Sequence, residues 1–358
     1  MKIGFDAKRY YHNRTGLGNY SRTIVHGLQQ YCPDDEYCLY DEGKVGRLLS
    51  FGRKAKAEGC DLLHGLSNEL PLDVPRAGLT TLVTIHDVAW RTFPGMYHWA
   101  DRQIYDFKYG RSCRVATHVV AISESTKRDV MRFYGIPEEK ISVIYQPVQL
   151  PLYQPMDKEE SADIVSRLLG DDAQRGYVLN VGSINSRKNL LGLVQAMERI
   201  PREHRPLLLV VGNGREYKQE VLQYVARKDM QKDIRIETNI HDCHLLQALY
   251  AQALVMAYPS HYEGFGLPVV EAALQECPVL TSNVSSLPEA AGPGALLCDP
   301  AEVDSIHDRL TELLDHPDEA RRLGKVASEY ARSHFDPELL TLQMHQLYHS
   351  LVRQSRHR

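Results

Sequence analysis

The sequence lacks several features that would assign it to a specialised class of protein. No apolar run approaches the ~18 residues that a membrane-spanning helix needs. The seven cysteines are odd in number and have no paired spacing, which argues against a disulfide framework and favours a reducing compartment. No internal repeat or low-complexity tract occurs. The net charge of only -4 argues against a nucleic-acid partner.

The composition is that of a globular protein with more than one domain. The 358 residues exceed the usual size of a single domain, and 43% hydrophobic with 25% charged residues can form substantial cores. Met1 leads directly into an apparent strand at residues 2–6, which leaves no room for a signal peptide. We therefore expect a cytoplasmic protein.

Strand and helix patterns alternate along the chain, which predicts an α/β fold. A β-branched run at residues 78–85 indicates a buried strand, and a second series of strands begins at Gly176–Gly182. Between the two series lie three prolines, Pro147, Pro151 and Pro155. Because such a stretch disfavours regular structure, we expect the chain to change domain between about 148 and 172.

The most informative segment joins two glutamates through a glycine-rich stretch. Glu263 and Glu271 lie eight residues apart, and Pro268 indicates the first turn of a helix between them. Glycine lets a backbone approach a ligand closely, and unpaired N–H groups at a helix start attract phosphate. We expect Glu263 in the loop and Glu271 about two turns into the helix, with both carboxylates able to accept hydrogen bonds from vicinal hydroxyls. The pattern predicts a sugar-nucleotide site.

Two cations in another loop complement this site. Arg187 and Lys188 follow an apparent strand that ends at Gly182, and they precede an amphipathic helix. Cationic side chains at a helix entrance match the charge of a leaving nucleotide diphosphate.

The first half carries two weaker signals. Gly16-Leu17-Gly18 precedes a helix with Ile24, Val25 and Leu28 on one face, and by itself this glycine pattern indicates a tight turn. His86-Asp87 ends a strand, which is where open α/β sheets place their ligands. For an isolated His-Asp pair, a hydrogen-bonded loop histidine is the simpler interpretation.

The segment 263–272, Glu-Gly-Phe-Gly-Leu-Pro-Val-Val-Glu-Ala, resembles the E-x7-E signature of the retaining family 4 glycosyltransferases, which have the two-domain GT-B fold. The Gly-x4-Arg-Lys-Asn pattern from Gly182 and the segment 117–130 resemble the same family, so the resemblance covers nearly the whole chain. It implies two doubly wound, Rossmann-like domains facing a central cleft. Residues 1–150 would bind the acceptor, residues 171–336 would bind the nucleotide-sugar, and a terminal helix at about 337–358 would pack back on the first domain.

The resemblance also implies roles for individual residues. The catalytic set would be Lys188, Arg187, Glu263 and His86. The donor-binding set would be Gly16, Leu17, Gly18, Gly182, Gly264, Phe265, Gly266, Leu267 and Glu271. Lys188 and Arg187 would neutralise the leaving diphosphate. Glu263 would reach hydroxyls of the transferred sugar, and Glu271 would hold the ribose.

The sequence departs from the family pattern at two loops. Gln146-Pro147 stands where the family usually has Asn-Gly, so a ligand contact from that loop is in doubt. Ser183 stands where some relatives have an arginine, so neutralisation of the diphosphate would rest more heavily on Lys188.

The implied reaction moves a hexosyl group from a nucleotide-sugar to a glycan or lipid-linked acceptor with retention of configuration. A mannosyl group is the first candidate, with GDP-mannose as its donor. Within the family, the sequence resembles bacterial mannosyltransferases of surface-polysaccharide assembly. Neither a cofactor nor a metal would be required. Two alternatives remain: a GT-B nucleotide-sugar epimerase, which needs no acceptor, and a catalytically inactive sugar-binding module. The intact set of Lys188, Glu263 and Glu271 argues against inactivity.

Other patterns have simpler interpretations. Gly212-Asn-Gly214 lacks the third glycine and the acidic residue of a dinucleotide fingerprint. Ser123 and Asp242 precede apparent helices and are expected to cap them. A helix cap at Asp242 is also a better interpretation of the segment His241-Asp-Cys-His244 than a metal cluster.

Basic residues form two clusters in the first half of the chain. They predict contact with an anionic membrane surface on the inner face of the cell membrane, where lipid-linked acceptors reside. Solvated helix faces are an equally simple interpretation. The clusters are Arg47, Arg53, Lys54 and Lys56, and Arg102, Lys108, Arg111 and Arg114.

Overall fold

A computed structural model describes residues 1–13, 15–43, 46, 49–240 and 242–356. The chain divides into two compact units. Unit 1 comprises Met1–Gln149 and Phe335–Arg358, and unit 2 comprises Leu150–His334. The acceptor-binding and donor-binding roles assigned to residues 1–150 and 171–336 stay predictions.

Each unit contains one six-stranded sheet. The strands of unit 1 are β1 (Lys2–Asp6), β2 (Glu36–Tyr40), β3 (Leu62–Gly65), β4 (Thr80–Ile85), β5 (His118–Ala121) and β6 (Ile141–Val143). The strands of unit 2 are β7 (Tyr177–Val181), β8 (Leu207–Val211), β9 (Ile234–Glu237), β10 (Val255–Tyr258), β11 (Val279–Ser282) and β12 (Ala295–Cys298).

All neighbouring strands in both sheets are parallel, and both sheets are doubly wound. The strand order is β2-β1-β3-β4-β5-β6 in unit 1 and β12-β11-β10-β7-β8-β9 in unit 2. In unit 2 the chain builds outward from β7 through β8 to β9, then returns to add β10 on the other side of β7. At this reversal the chain leaves β7 towards one edge of the sheet and leaves β10 towards the other edge. A crevice for ligands forms at such a point.

The helices that connect the strands cover both faces of the sheets. The helices of unit 1 are α1 (Lys8–His12), α2 (Gly16–Tyr31), α3 (Phe51–Ala57), α4 (Val74–Ala77), α5 (Ala89–Thr92), α6 (Trp99–Val115), α7 (Glu124–Tyr134) and, at the end of the chain, α17 (Pro337–Arg356). The helices of unit 2 are α8 (Leu150–Tyr153), α9 (Lys158–Leu169), α10 (Leu190–Glu198), α11 (Glu216–Arg227), α12 (Cys243–Gln252), α13 (Leu267–Leu274), α14 (Leu287–Ala291), α15 (Val303–Asp315) and α16 (Pro317–His334). Among the helices of the described residues, none combines the length and the apolarity that crossing a bilayer requires.

The predicted alternation of strands and helices is confirmed, together with the buried character of the strands. All six residues of β4 are buried, as expected for a parallel sheet covered on both faces. Ile24, Val25 and Leu28 of α2 are fully buried, so the apolar face predicted for this helix is confirmed. Both predicted helix caps are also present, since Ser123 Oγ accepts from Thr126 N at 3.0 Å and Asp242 Oδ1 accepts from His244 N at 2.9 Å. His241 lies outside the described residues.

The last helix, α17, packs on unit 1. A Cβ on Gly27 of α2 would lie 2.5 Å from Thr341 Oγ1, so only glycine permits this close approach of the two helices. Tyr348 OH forms a hydrogen bond of 2.7 Å with His64 Nδ1 of β3. Burial of His64 lowers its pKa to about 3, so the ring is neutral in this contact.

Candidate active site

The candidate site in unit 2 is built from loops at the carboxyl ends of β7 and β10. The two strands are neighbours, with Val178 beside Val255 and Leu179 beside Met256. Their carboxyl ends therefore place the loop after Val181 next to the loop after Tyr258. This is the reversal point of the sheet, where open α/β folds bind ligands.

Three charged side chains from these loops meet at one place. Lys188 Nζ lies 2.6 Å from Glu263 Oε1, and Arg187 Nη1 lies 2.8 Å from Glu263 Oε2. The exposed fractions of the Arg187, Lys188 and Glu263 side chains are 15%, 13% and 8%. The predicted catalytic residues of unit 2 are thus brought together as a buried cluster with one excess positive charge.

The charge balance of this cluster determines the state of Glu263. Burial by itself raises the pKa of this carboxyl group, but the adjacent Lys188 and Arg187 outweigh burial and lower the pKa to about 2. Glu263 is therefore a carboxylate at neutral pH, and its charge holds the two cations in position. A carboxylate in this state accepts hydrogen bonds and is unsuited to donate a proton.

Backbone contacts hold the glycine-rich loop in shape. Arg187 Nη1 donates to Tyr262 O at 2.5 Å, and His261 N donates to Arg187 O at 2.8 Å, so the two loops are tied together. Glu263 N donates to Ser285 Oγ at 3.0 Å. Ser286 Oγ lies 2.8 Å from the carbonyl oxygens of both Glu263 and Phe265. The loop carries Glu263 on a scaffold that is fixed on both sides.

Helix α13 starts where the glycine-rich loop ends. Gly266 has φ of +116°, and a Cβ there would lie 2.9 Å from Leu287 Cδ2, so the position favours glycine for conformation and for space. Leu267 is the first helical residue, and Pro268 lies in the first turn as predicted. Phe265 is only 2% exposed and belongs to the buried hydrophobic residues of the protein, so a ligand contact from this residue stays a prediction.

Glu271 lies nearer to the loop than the sequence pattern suggested. Helix α13 begins at Leu267, so Glu271 is its fifth residue and lies about one turn into the helix, which corrects the expected two turns. Its side chain is buried, and Tyr250 OH donates to Oε2 at 2.8 Å. Burial raises the pKa of Glu271 to about 7, and the Tyr250 hydrogen bond only partly opposes this rise.

Tyr258 lies beside the charged cluster and was missed by the sequence analysis. Lys188 Nζ donates to Tyr258 OH and lies 4.7 Å from the centre of the ring. Burial raises the pKa of Tyr258, the charge of Glu263 raises it further, and Arg187 opposes the rise. Gly182 lies beside the same group, since a Cβ there would be 3.7 Å from Tyr258 OH and 3.8 Å from Lys188 Nζ.

The remaining predicted site residues belong to unit 1. Gly16, Leu17 and Gly18 form the first turn of α2, so the loop expected before the helix is part of the helix itself. The reason is Asn13, whose Oδ1 accepts from Thr15 N at 2.7 Å and from Gly18 N at 3.3 Å and thereby pairs the helix start. A Cβ on Gly18 would lie 1.8 Å from Asn13 O, so this glycine is required by packing.

His86 follows β4, at the carboxyl edge of the unit 1 sheet, as predicted. The ring is buried, its Nε2 lies 2.9 Å from Leu66 O, and its backbone N donates to Asn68 Oδ1 at 2.7 Å. Burial lowers the pKa of His86, so the ring is neutral near pH 7 and donates its Nε2 proton to Leu66 O. The role of His86 in catalysis stays a prediction.

Comparisons with known proteins agree with this geometry. The family model for glycosyl transferases group 1 matches residues 165–330, and the model for glycosyltransferase family 4 matches residues 23–150. The O-antigen chain mannosyltransferase B of Escherichia coli is 31% identical over 354 residues, which cover 88% of this chain and 91% of the relative. The chain belongs to the family 4 glycosyltransferases.

Solved structures show the same fold over nearly the whole chain. A sucrose-phosphate synthase of Thermosynechococcus elongatus has a TM-score of 0.80 at 21% identity and covers 99% of this chain and 100% of its own. The Anabaena protein HepE, solved in complex with UDP-glucose, has a TM-score of 0.76 at 17% identity, with 98% of this chain and 100% of its own covered. The protein is a glycosyltransferase of the GT-B fold class.

Proposed function

We propose that this glycosyltransferase moves a hexosyl group from a nucleotide-sugar to a glycan or lipid-linked acceptor and retains the anomeric configuration. The observation that carries the proposal is the Lys188–Glu263–Arg187 cluster at the reversal point of the unit 2 sheet. A mannosyl group is the first candidate, because the relative with 31% identity is an O-antigen chain mannosyltransferase. GDP-mannose is the first donor to test, and UDP-glucose is the second, since HepE was solved with it.

The two cations would stabilise the leaving diphosphate. Both cations are paired with Glu263, and the cluster has one excess positive charge that a phosphate oxygen can share. The glycine-rich loop ends at the start of α13, where unpaired backbone N–H groups also favour an anion. Charge that develops on the diphosphate during transfer would therefore meet donors that are already oriented.

The two carboxylates would bind hydroxyl groups. Glu263 is ionised and lies in the loop beside the cations, a position that suits the hydroxyls of the transferred sugar. Glu271 lies one turn into the helix, away from the cluster, where it suits the ribose diol. The roles predicted for His86 and for the start of α2 in unit 1 stay predictions. This chemistry needs no metal or cofactor, since the protein cations supply the charge.

A donor panel tests the proposal. Nucleotide release is measured with GDP-mannose, UDP-glucose and related donors, with and without candidate acceptors, and the linkage of the product is determined by NMR. We expect release that depends on the acceptor, and an α-linked product from an α-linked donor. Release without an acceptor, together with an altered free sugar, would instead identify an epimerase. Donor binding without any release would identify an inactive sugar-binding module.

We also propose that unit 1 contacts an anionic membrane surface, where lipid-linked acceptors reside. Trp99, Ile104 and Phe107 of α6 are 71%, 49% and 61% exposed, which is unusual for large apolar side chains on one helix. Exposed aromatic side chains on a helix with basic residues suit the interface of a bilayer.

Several basic side chains of this surface have partners within the protein, so the surface attracts anionic lipid less strongly than the sequence suggested. Lys108 Nζ lies 3.3 Å from Glu69 Oε1, and Arg111 donates to Leu72 O at 2.7 Å, so both side chains have partners within the protein. In the other cluster, Lys54 Nζ lies 2.6 Å from Glu42 Oε1, and Arg47 lies outside the described residues.

Vesicle flotation measures the interaction. We expect recovery with anionic vesicles that falls at high salt, and a several-fold loss in Phe107→Ser. The control variant is Leu339→Ser, because Leu339 is an apolar side chain of unit 1 with 42% exposure on a different helix. Equal recovery with neutral and anionic vesicles at every salt concentration would contradict the proposal.

A further inference from the structure

Three side chains with metal-binding atoms converge in unit 1, away from the candidate active site. Asp35 lies directly before β2, and His345 and His349 lie one turn apart on α17. His345 Nε2 is 2.7 Å from Asp35 Oδ2, His349 Nε2 is 3.6 Å from the same oxygen, and the two ring nitrogens are 3.2 Å apart. Among the residues that the structure describes, these three form a group whose ligand atoms all lie within 4.8 Å of one another.

Hydrogen bonding alone satisfies this group poorly. A neutral imidazole has one N–H and one lone pair, and a carboxylate oxygen only accepts. If His345 Nε2 carries a proton, it points at Asp35 Oδ2, and His349 Nε2 either competes for that proton or directs its own at the same oxygen across 3.6 Å, which is too long for a hydrogen bond. If His345 Nε2 has no proton, its lone pair points at the carboxylate. A cation that bonds to all three atoms would remove this conflict.

The spacing is close to that of a tetrahedral metal site. Zn²⁺ binds imidazole nitrogen and carboxylate oxygen at about 2.0–2.2 Å, so two ligands of a tetrahedral site lie about 3.3–3.6 Å apart. The observed separation of 3.6 Å lies at the upper end of that range, and the separations of 3.2 and 2.7 Å lie below it. Small side-chain rotations would equalise them, since the His345 and His349 side chains are 22% and 39% exposed.

We propose that Asp35, His345 and His349 form a binding site for a divalent transition-metal ion, with Zn²⁺ as the first candidate and water as the fourth ligand. Two imidazoles with one carboxylate favour Zn²⁺, Ni²⁺ and Cu²⁺ over Mg²⁺ and Ca²⁺, which prefer ligand sets of oxygen only. The partial exposure of both histidines leaves an open side for the ion and its water.

The second oxygen of Asp35 already has a partner that orients the carboxylate. The amino group of Met1 lies 2.6 Å from Asp35 Oδ1, which leaves Oδ2 directed at the histidines. Such a contact behind a ligand fixes its direction. The positive charge of the amino group also opposes a second cation, so the site should bind more weakly than a closed site with four protein ligands.

A metal at this place would be structural. Helix α17 is attached to unit 1 by Tyr348 and by Arg356, whose Nη2 lies 2.9 Å from Asp61 Oδ1. An ion bound by Asp35, His345 and His349 would add a link between the last helix and the segment before β2, and its binding energy would add to the stability of the folded unit. The expectation that sugar transfer needs no metal is unaffected, because none of the three ligands belongs to the candidate active site.

Calorimetric titration of ZnCl₂ into chelator-treated protein tests the site. The protein for this titration is prepared without an affinity tag. A histidine tag would bind zinc, and an N-terminal tag would remove the contact between Met1 and Asp35. We expect one Zn²⁺ per chain, no heat with MgCl₂, and a rise in melting temperature on adding Zn²⁺. In His345→Gln and in His349→Gln, we expect at least a tenfold weaker affinity and no rise in melting temperature.

The control variant is His98→Gln, because His98 is an exposed histidine of the same unit and should leave zinc binding unchanged. If either site variant folds poorly, the visible absorption of bound Co²⁺ in the wild type reports directly whether nitrogen and oxygen ligands hold the ion in four-coordinate geometry. Two results would overturn the site: stoichiometric zinc binding that survives in His345→Gln/His349→Gln, or absence of zinc binding by the wild type.

Discussion

Glu263 and Glu271 bound the same nine-residue segment, yet their surroundings are opposite. Glu263 lies in the loop between Arg187 and Lys188, and its pKa is lowered to about 2 although it is buried. Glu271 lies one turn into α13 with Tyr250 as its hydrogen-bond donor, and burial raises its pKa to about 7. Two equal side chains on one motif thus have different charge states near neutral pH. The adjacent cations lower the pKa of Glu263, whereas burial dominates at Glu271 and raises its pKa.

This difference separates two chemical roles. A carboxylate that is permanently ionised and paired with cations keeps the diphosphate site assembled and offers oxygen lone pairs to a sugar. A carboxyl group that titrates near pH 7 changes charge when a diol or a nearby cation arrives. Substitutions at the two glutamates and at their neighbours should separate these roles.

Removing a cation from the loop should have the largest effect. Lys188→Ala is expected to lower kcat by ~10²-fold, because one electrostatic donor to developing phosphate charge contributes ~3 kcal/mol of transition-state stabilisation. Steady-state nucleotide release gives the measurement. Lys325→Ala, on an exposed position of α16, is the matched control and should keep wild-type turnover. A near wild-type kcat in Lys188→Ala would remove this residue from the site.

The two Glu→Gln variants should change stability with opposite dependence on pH. The lowered pKa of Glu263 contributes stability above its unfolded value of about 4.5, and this contribution is lost as pH falls towards 2. Glu263→Gln should therefore be less stable than the wild type at pH 7, by at most about 3 kcal/mol, and the difference should shrink below pH 4.5.

Glu271 should behave in the reverse way. Its raised pKa means that the wild type loses stability as pH rises from about 4.5 through 7, because the buried group must then ionise. Glu271→Gln should match the wild type near pH 4.5 and exceed it at pH 8, by at most about 3 kcal/mol. Urea unfolding across this pH range measures both variants. Parallel pH profiles for the two variants would contradict the assigned charge states.

Ligand binding should separate the two glutamates again. Glu271→Gln is expected to weaken free nucleotide and nucleotide-sugar alike, because charge-assisted hydrogen bonds to the ribose diol contribute ~1.5–3 kcal/mol each. Glu263→Gln should weaken the nucleotide-sugar more than the free nucleotide, because the free nucleotide lacks the sugar hydroxyls that this carboxylate would bind. Calorimetric titration of both ligands into both variants provides the measurement. Wild-type affinity of Glu271→Gln for the free nucleotide, whichever base is used, would refute the ribose assignment.

The smallest effect should come from Tyr250→Phe. This change removes the hydroxyl that donates to Glu271 Oε2, and we expect the pKa of Glu271 to rise further and nucleotide affinity to fall several-fold, about 1 kcal/mol. The pKa is measured by NMR titration of the side-chain carboxyl carbon. Tyr224→Phe, which removes a phenol bonded to Glu198 on α10, is the matched control. An unchanged Glu271 pKa in Tyr250→Phe would show that burial alone sets its value.

Much of the fold could be predicted from the sequence because its signals are local. The buried strand at Thr80–Ile85 shows as a β-branched run, and the caps at Ser123 and Asp242 show as single residues before helical patterns. The start of α2 was less predictable. Gly16-Leu17-Gly18 looked like a loop, and the side chain of Asn13 makes it the first turn of a helix.

The sequence indicated the motif residues of the candidate site, but it did not indicate the tyrosines that form hydrogen bonds with them. Arg187, Lys188, Glu263 and Glu271 stand in recognisable patterns, so the sequence indicates them. Tyr258 and Tyr250 look like ordinary strand and helix residues, and only the packing of β10 and α12 against the motif brings their hydroxyls to Lys188 and Glu271. Glu271 was expected two turns into its helix, but Pro268 marks the first turn, and Glu271 three residues later lies about one turn in.

The sequence by itself determined the alternating α/β order, the membership of a glycosyltransferase family and the identity of the charged motif residues, because these depend on residue type and local spacing. Only the tertiary structure decided the charge states of the two glutamates, since desolvation and distance to cations exist only after folding. The same holds for Asp35, His345 and His349, since Asp35 is 310 residues from His345 in the chain and the three meet only when α17 packs on unit 1.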